Sequence, residues 1–447
     1  MQDTLTNQEI LTNLTKRLKS ENLEQYQATV KEIINQVKLN GNKALAYYCE
    51  KFDHQKIDIS ASDSPFSVSI DTHKKPNFKN LPKDLQETLL LAHKRIEKFH
   101  KNEMKKHAYQ VGWSFNGDLK EKLGVKYTPL DSVAVYIPGG QAPLISTTLM
   151  TAIPAICAGV PRIVLISPPP IHPSIIACAE LLGISEVYGL GGAQAIAGLA
   201  YGTESIRVVD KIVGPGNIFV SLAKKEVFGD IGIDGIFGPS ELAILCDHTA
   251  CPEQVACDLL SQLEHGSGLE STLLVSLDHD LIVRTKEHIE KQLEDLGIKN
   301  LKTPAQIETI RNSLRDWSAF LYSPDLESAC ALINQYAPEH LEIILEKKPL
   351  EKSIKLIKNA GAIFIGTNSC ESLGDYLAGP SHCLPTGRTA RFSSGLQCHD
   401  FLKKISIIDF SKTSCKSSKF RDLAQKTACL ARAENLEMHA RAIEKRI

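Results

Sequence analysis

From about residue 132 onward, short β-branched runs alternate with helix-length apolar stretches, and this alternation narrows the choice of fold most. Residues 132–137 (SVAVYI), 162–166 (RIVLI), 186–190 (EVYGL) and 206–210 (IRVVD) read as strands. Between them, 147–158, 172–182 and 193–200 read as helices. A second block repeats the pattern, with strands at 241–246, 272–276, 319–322, 340–345 and 362–365 and helices at 252–265 and 278–296. Strands that alternate with helices build βαβ units and parallel sheets. The expected class is therefore α/β, with two doubly wound, Rossmann-like parallel-sheet domains. Residues 1–110 read as mainly helical, including 85–109 with Leu89, Leu90, Ile96 and Phe99 near helical spacing. The tail after Ser393 is polar and turns helical over 420–446, as an appendage rather than a third core.

Composition excludes several classes of function. The chain has 447 residues, 43% of them hydrophobic and 23% charged, with a net charge of -1. That is too apolar and too evenly charged for disorder, and it lacks the basic excess of a dedicated nucleic-acid binder. The lysines and histidines of 85–109 then read as a solvated helix face. The 12 cysteines form no C-x-x-C pair, which speaks for reduced, packed thiols rather than a zinc ribbon. The start, MQDTLTNQEI, shows no basic segment followed by an apolar one. The longest apolar stretch, 142–166, is broken by Pro143, Pro154, Pro161 and Arg162. A cytoplasmic protein without membrane or nucleic-acid partners is expected.

Five constellations could carry chemistry. Three glycine-bearing loops follow strands: Tyr136-Ile137-Pro138-Gly139-Gly140, Gly189-Leu190-Gly191-Gly192-Ala193-Gln194 and Gly214-Pro215-Gly216-Asn217. Such loops place backbone where open α/β sheets bind nucleotides or phosphates, although tight turns explain each one equally well. Asp210 lies about 20 residues past the middle loop, as a ribose-binding acid would. Gln262 and His265 share one face near a helix end and fit either two metal ligands or a polar terminus before Gly266. Glu339 and His340 sit at a strand entrance, as an acid–base pair or an ordinary turn. Asp375 and His382 lie in a turn-rich segment that is either the rim of a cleft or a plain loop. Glu434 and His439 lie on the terminal helix, where surface residues are the simplest reading.

In chain order, the stretches VAVYIPGG (133–140), LMTAIPAICAGVPRIV (149–164), GLGGAQAIAGLAYGT (189–203), VDKIVGPGN (209–217), DGIFGPSE (234–241), DLLSQLEHG (258–266), APEHLE (337–342), GDYLAGPSHCLPTGRTARFSSGL (374–396), DFLKK (400–404) and LARAENLEMHARAI (430–443) resemble the histidinol dehydrogenase family. The likeness is collinear from about residue 25 to the end. It implies a homodimeric, NAD-dependent enzyme with one zinc per subunit. Such an enzyme oxidises L-histidinol to L-histidine through L-histidinal, in two successive hydride transfers, as the last step of histidine biosynthesis.

By the same resemblance, the zinc ligands are Gln262, His265, Asp375 and His439 of the partner subunit. Glu339 and His340 become the catalytic pair, and Tyr136, Gln194 and Asn217 the cofactor contacts. Substrate contacts are Ser240, Gln262, His265, His340, Asp375 and His382, with Glu434 and His439 reaching across the interface. Two imidazoles, a carboxylate and an amide oxygen suit Zn²⁺, and also Mn²⁺ or Co²⁺. The implied domains are 27–131 with 241–392 for metal and catalysis, 132–240 for NAD, a helical segment 1–26, and a dimerising appendage 393–447. The sequence departs from the family pattern at Ser381 (commonly asparagine), Ile145 (proline), Leu263 (alanine) and Arg388 (glycine). Two rival readings are a zinc hydrolase of peptidase or amidase type, with Glu339 as base, and a non-catalytic nucleotide-binding protein.

Overall fold

The computed structural model describes residues 6–16, 23–60, 64–68, 77–139 and 144–447. Gly140, Ala142 and Pro143 lie outside the described residues, as do 1–5 and 17–22 of the expected N-terminal segment. Thirteen strands run in chain order through the described residues. They are β1 (Trp113–Asn116), β2 (Lys122–Pro129), β3 (Ser132–Tyr136), β4 (Arg162–Ser167), β5 (Glu186–Gly189), β6 (Lys211–Val213), β7 (Gly232–Ile233), β8 (Glu241–Cys246), β9 (Ser271–Ser276), β10 (Ser318–Tyr322), β11 (His340–Ile344), β12 (Ala362–Ile365) and β13 (Leu402–Asp409). No helix of the described residues is long and apolar enough to cross a membrane.

Residues up to Lys101 together with Leu130–Phe401 form one compact unit. It holds two five-stranded parallel sheets, ordered β5-β4-β3-β6-β7 and β10-β9-β8-β11-β12. In each, the third, second, first, fourth and fifth strands along the chain lie side by side. The order therefore reverses between β3 and β6, and again between β8 and β11, as in doubly wound folds. Every residue of β3, β8 and β11 is buried. Helices cover both sheet faces, so these strands are nearly continuous apolar runs rather than alternating ones. The polar exceptions are Ser132 at the start of β3, Glu241 at the start of β8, and His340 and Glu342 on β11; the last three mark the site.

Helix Leu23–Asp53, interrupted at Gly41, lays Val30, Ile33, Ile34 and Leu45 against Ala134, Val164, Ile196 and Leu199. This helix thus packs on the β3–β7 sheet, although the sequence groups 27–131 with the other half. Its apolar stripe finds that sheet's helices Gly192–Tyr201 and Ile218–Val227. Helix Asn7–Lys16 places Leu11 and Leu14 on the β8–β12 sheet, among Ala243, Leu245, Leu341 and Ile343.

Three expected elements are corrected. The strand expected at 206–210 is β6 at Lys211–Val213, because Asp210 Oδ2 instead accepts from the backbone N (2.8 Å) and Oγ (3.1 Å) of Ser132 ahead of the ladder. The helix expected over 252–265 ends at Leu263, so His265 lies beyond it, before Gly266 at φ +84°. The single helix expected over 420–446 is two, Ser418–Ala433 and Glu437–Glu444, parted where Asn435 takes φ +59°.

Residues Asn102–Pro129 and Leu402–Ile447 form a second unit. It contains the antiparallel sheet β1-β2-β13 and the two terminal helices. Of the expected appendage, 393–447, the part from Leu402 onward therefore has a partner segment in 102–129. Its strands were hidden in sequence because both faces of β13 are largely exposed and carry little apolar alternation.

Candidate active site

The first feature is a cavity of about 490 Å³, lined by Tyr136, Gly139, Gly192, Gln194, Asn217 and Phe219 among others. It lies at the carboxyl ends of β3 and β6, where strand order reverses and ligands of open α/β sheets bind. The three glycine-bearing loops meet there. Gly192 N donates to Tyr136 Oη at 3.1 Å, tying the first loop to the second. Asn217 Oδ1 accepts from the N–H groups of Phe219 and Val220, both at 3.1 Å, and caps helix Ile218–Val227. The third loop needs glycine at its start. Gly214 has φ +111°, and a Cβ there would stand 2.2 Å from Tyr136 O. A buried pair holds this loop: Lys224 Nζ donates to Gly214 O at 2.9 Å and to Asp234 Oδ1, while Gly214 N donates to Asp234 Oδ2 at 2.6 Å. Burial pushes the Tyr136 phenol up to about 12, so it stays neutral beside a ligand. Asp210 does not join this cavity, because its carboxylate is bound at the opposite edge of the sheet.

The second feature is an acid–histidine cluster where β8 and β11 begin. Ala337 takes φ +52° after helix Leu326–Tyr336 and turns the chain so that Glu339 and His340 enter β11. Glu339 Oε2 accepts from Ser240 Oγ at 2.5 Å and from Glu241 N at 3.0 Å. His340 sets Nδ1 3.2 Å from Glu241 O and Nε2 3.5 Å from Asp375 Oδ1. Asp375 comes from the short helix Glu371–Tyr376, which also brings Glu371 Oε1 within 4.0 Å of His340 Nδ1. With its amide nitrogen turned toward the acid, Gln262 donates to Glu371 at 2.8 Å, and its amide oxygen lies 2.9 Å from Ser240 Oγ. His265 sets Nδ1 3.0 Å from Gln262 O. His382 sets Nδ1 3.0 Å from Asp375 O and Nε2 3.2 Å from Thr147 Oγ1. Thr147 belongs to helix Ile145–Ala158 of the other sheet, so His382 links the two halves of the unit.

One pattern recurs. His265, His340 and His382 each face a backbone carbonyl with Nδ1. A carbonyl only accepts, so Nδ1 carries the hydrogen, and in the neutral ring Nε2 is the lone-pair nitrogen. Fixing the ring this way prepares Nε2 to ligate a cation or take a proton.

The electrostatics are those of crowded, buried acids. Burial works against the imidazolium of His340, but Glu339, Glu371 and Asp375 outweigh it and lift its pKa to about 10. Burial would raise Asp375, yet His340, His382 and His265 hold it below its ordinary value. Burial lifts Glu371 to about 8, and Asp375 and Glu339 add to the rise against the pull of His340. His382 is lowered, first by burial. A cluster of buried groups whose protonation is shifted in opposite directions is a mark of catalytic sites.

The family model for histidinol dehydrogenase matches residues 16–447. The chain is 43% identical to a histidinol dehydrogenase of Bacillus subtilis, over 95% of this chain and 93% of that one. It is 40% identical to one from Thermotoga maritima, covering 98% and 97%. A crystal structure of histidinol dehydrogenase from Elizabethkingia anophelis superposes with a TM-score of 0.85 at 33% identity, covering 98% of this chain and 95% of that one.

The chain belongs to the histidinol dehydrogenase family. The zinc-hydrolase reading finds no support in these comparisons. As a member of that family, the chain can be tested for fit to a divalent cation and a dinucleotide. Ligand atoms of His340, Glu371 and Asp375 lie within 4.8 Å of one another, a separation that one cation can bridge. Nitrogen and oxygen donors with partly satisfied carboxylates suit zinc. Of the sequence-expected ligands, Asp375 is in this group, Gln262 is bonded to Glu371, and His265 interacts with Asp375 through charge. The cavity's glycine loops and helix N-terminus suit a dinucleotide, and Tyr136, Gln194 and Asn217 all line it.

The structure thus brings together Ser240, Gln262, His265, Glu339, His340, Asp375 and His382. Glu434 and His439 lie in the second unit, both exposed. Ser381 Oγ donates to Met150 O at 2.9 Å, which anchors the segment leading to His382 in place of the usual asparagine. Arg388 takes φ +66°, the left-handed backbone that explains why glycine is common there.

Three residues of the cluster escaped the sequence reading. Glu371 sits four before Asp375, one helical turn away, but the turn-rich composition hid the helix. Glu342, 2% exposed, sits two after His340 on a buried strand, an anomaly that could have flagged it. Asp258 shares a hydrogen bond with Glu342 from helix Pro252–Leu263 and had no signal in sequence.

Proposed function

We propose that this chain oxidises L-histidinol to L-histidine through L-histidinal, in two successive hydride transfers to NAD, as the last step of histidine biosynthesis. The observation that carries the reading is the set of three histidines with carbonyl-fixed Nδ1 around Asp375, one of them (His340) adjoining Glu339, in a unit that also holds a nucleotide-sized cavity. When bound, one zinc per subunit supplies a Lewis-acidic anchor for the substrate's imidazole and amine, and NAD supplies the hydride acceptor.

Gln262, His265, Asp375 and His439 of the partner subunit would hold the ion. Ser240, His340, His382 and Glu434, with those ligands, would orient the substrate. Tyr136, Gln194 and Asn217 would contact the dinucleotide. His340 accepts the alcohol proton at Nε2 once its ring is neutral; the uncompensated carboxylates hold it as the imidazolium, and a bound cation offsetting the Asp375 charge would lower it toward the base form. Its ring is oriented by Glu241 O, and the surrounding carboxylates favour the imidazolium that forms. Glu339, aimed by Ser240 Oγ and Glu241 N, takes a proton from the water that hydrates the aldehyde. In this reading the β8–β12 half carries metal and catalysis, the β3–β7 half carries NAD, and residues 393–447 serve a homodimer in the cytoplasm.

The test is incubation of the purified chain with histidinol, NAD and zinc while the absorbance of reduced cofactor is followed. Two equivalents of reduced cofactor per histidine formed support the proposal. Absence of reduction in metal-loaded protein refutes it.

A further inference from the structure

The cavity holds a carboxylate for which the functional reading has no task. Asp53 ends helix Leu23–Asp53 and lines the cavity with Tyr136, Gly192 and Asn217. Its Oδ2 is shielded from solvent and has no hydrogen-bond partner among the described residues. Burial lifts its pKa, against a smaller opposing pull from His54. The position is a poor one for stability. A carboxylate at a helix C-terminus faces the negative end of the dipole, and a buried acceptor without a donor carries a desolvation cost. Folding gains nothing from this acid, whereas a ligand with paired hydroxyls would satisfy it.

In doubly wound nucleotide-binding sheets, an acid about 20 residues past the glycine loop takes the adenosine ribose hydroxyls. Here β4 ends in Ser167-Pro168-Pro169-Pro170, with no acid, and Pro168 itself lines the cavity. Asp210, the acid at the right spacing, is bound to Ser132 at the other edge. The carboxylate that reaches the cavity comes instead from a helix outside the sheet.

We propose that Asp53 sets nucleotide specificity: its carboxylate accepts from the 2′- and 3′-hydroxyls of the adenosine ribose and repels a 2′-phosphate, so that the cavity takes NAD and rejects NADP. The inference rests on the NAD reading above.

The test is calorimetric titration of the full chain with NAD and with NADP, in the absence of substrate, for the parent, Asp53→Asn and Asp53→Ser. A charge-assisted hydrogen bond lost on each variant predicts NAD binding weaker by about tenfold or more, with NADP binding unchanged or tighter. The ratio of the two affinities then falls by at least about tenfold. The thermal midpoint of nucleotide-free protein should rise in the Asn variant, a sign opposite to that of a structural acid. Both variants keeping the parent's NAD-to-NADP ratio, with the parent binding NAD, would overturn the assignment of Asp53 and leave the NAD reading intact. A parent that binds neither nucleotide overturns the NAD reading and this inference with it.

Discussion

Replacing Glu342 by glutamine should flatten the loss of stability that the parent shows as pH rises. Glu342 is 2% exposed, its Oε1 accepts from Glu371 N at 2.7 Å, and it shares a hydrogen bond with Asp258. Burial first, and then the Asp258 carboxylate, lift Glu342 to about 9, while burial lifts Asp258 to about 6. The folded chain therefore keeps a proton on Glu342 at neutral pH, and the unfolded chain releases it. With the folded pKa above the unfolded one, this group's stabilisation is complete below about pH 4.5 and is lost as pH rises through about 9.

Each retained proton gives a slope of about 1.4 kcal/mol per pH unit. Between about pH 6.5 and 8.5 Asp258 is mainly ionised in both states, so Glu342 accounts for about 3 kcal/mol over that window. Glu371 and His340, raised to about 8 and about 10, add slopes of the same sign, which the comparison with the variant removes. Glutamine keeps both contacts, accepting from Glu371 N and donating to Asp258. The assay is urea unfolding of metal-stripped protein at three pH values and constant ionic strength. A Glu342→Gln protein whose stability falls as steeply as the parent's would show that Glu342 is ionised in the fold, and would refute the reasoning.

Three other outcomes are expected. Glu339→Gln and His340→Asn should each lower kcat by roughly 10²-fold or more while zinc content, read by atomic absorption, stays at the parent level; parent-like turnover in both removes the acid–base assignment. Mixing inactive His439→Ala subunits with inactive His265→Ala subunits should restore partial activity through heterodimers with one intact site; no recovery after verified subunit exchange argues against a shared site. Stripping divalent cations with a chelator should abolish turnover, and Zn²⁺, Mn²⁺ or Co²⁺ should restore it, because nitrogen and oxygen donors accept all three; full activity in metal-free protein contradicts the proposed ligand set.

Much of the architecture was legible because buried parallel strands must be apolar throughout. The runs read at 132–137, 162–166 and 241–246 coincide with β3, β4 and β8 to within one residue. The loop glycines were legible for a related reason, since Gly214 stands where no side chain fits. Strand β6 was misplaced by several residues, because Ile206–Val209 is as β-branched as Ile212–Val213 and only the Asp210–Ser132 hydrogen bonds decide where pairing begins.

The periods of strand and helix, the turns that require glycine, and the identity of side chains able to ligate, donate or accept protons are local properties, readable along the chain. Which of those side chains meet was decided by tertiary structure. Ser240, Gln262, Glu339, His340, Asp375 and His382 are scattered over more than a hundred residues, and they converge because β11 pairs directly with β8 and a one-turn helix folds over their entrance. The same convergence buries Glu342 and Glu371, and burial beside other charges, not residue type, sets where their protons reside. Asp53 is the plainest case: in sequence it is one acid among many in a mainly helical segment, and only the packing of helix Leu23–Asp53 on the β3–β7 sheet turns it toward a cavity.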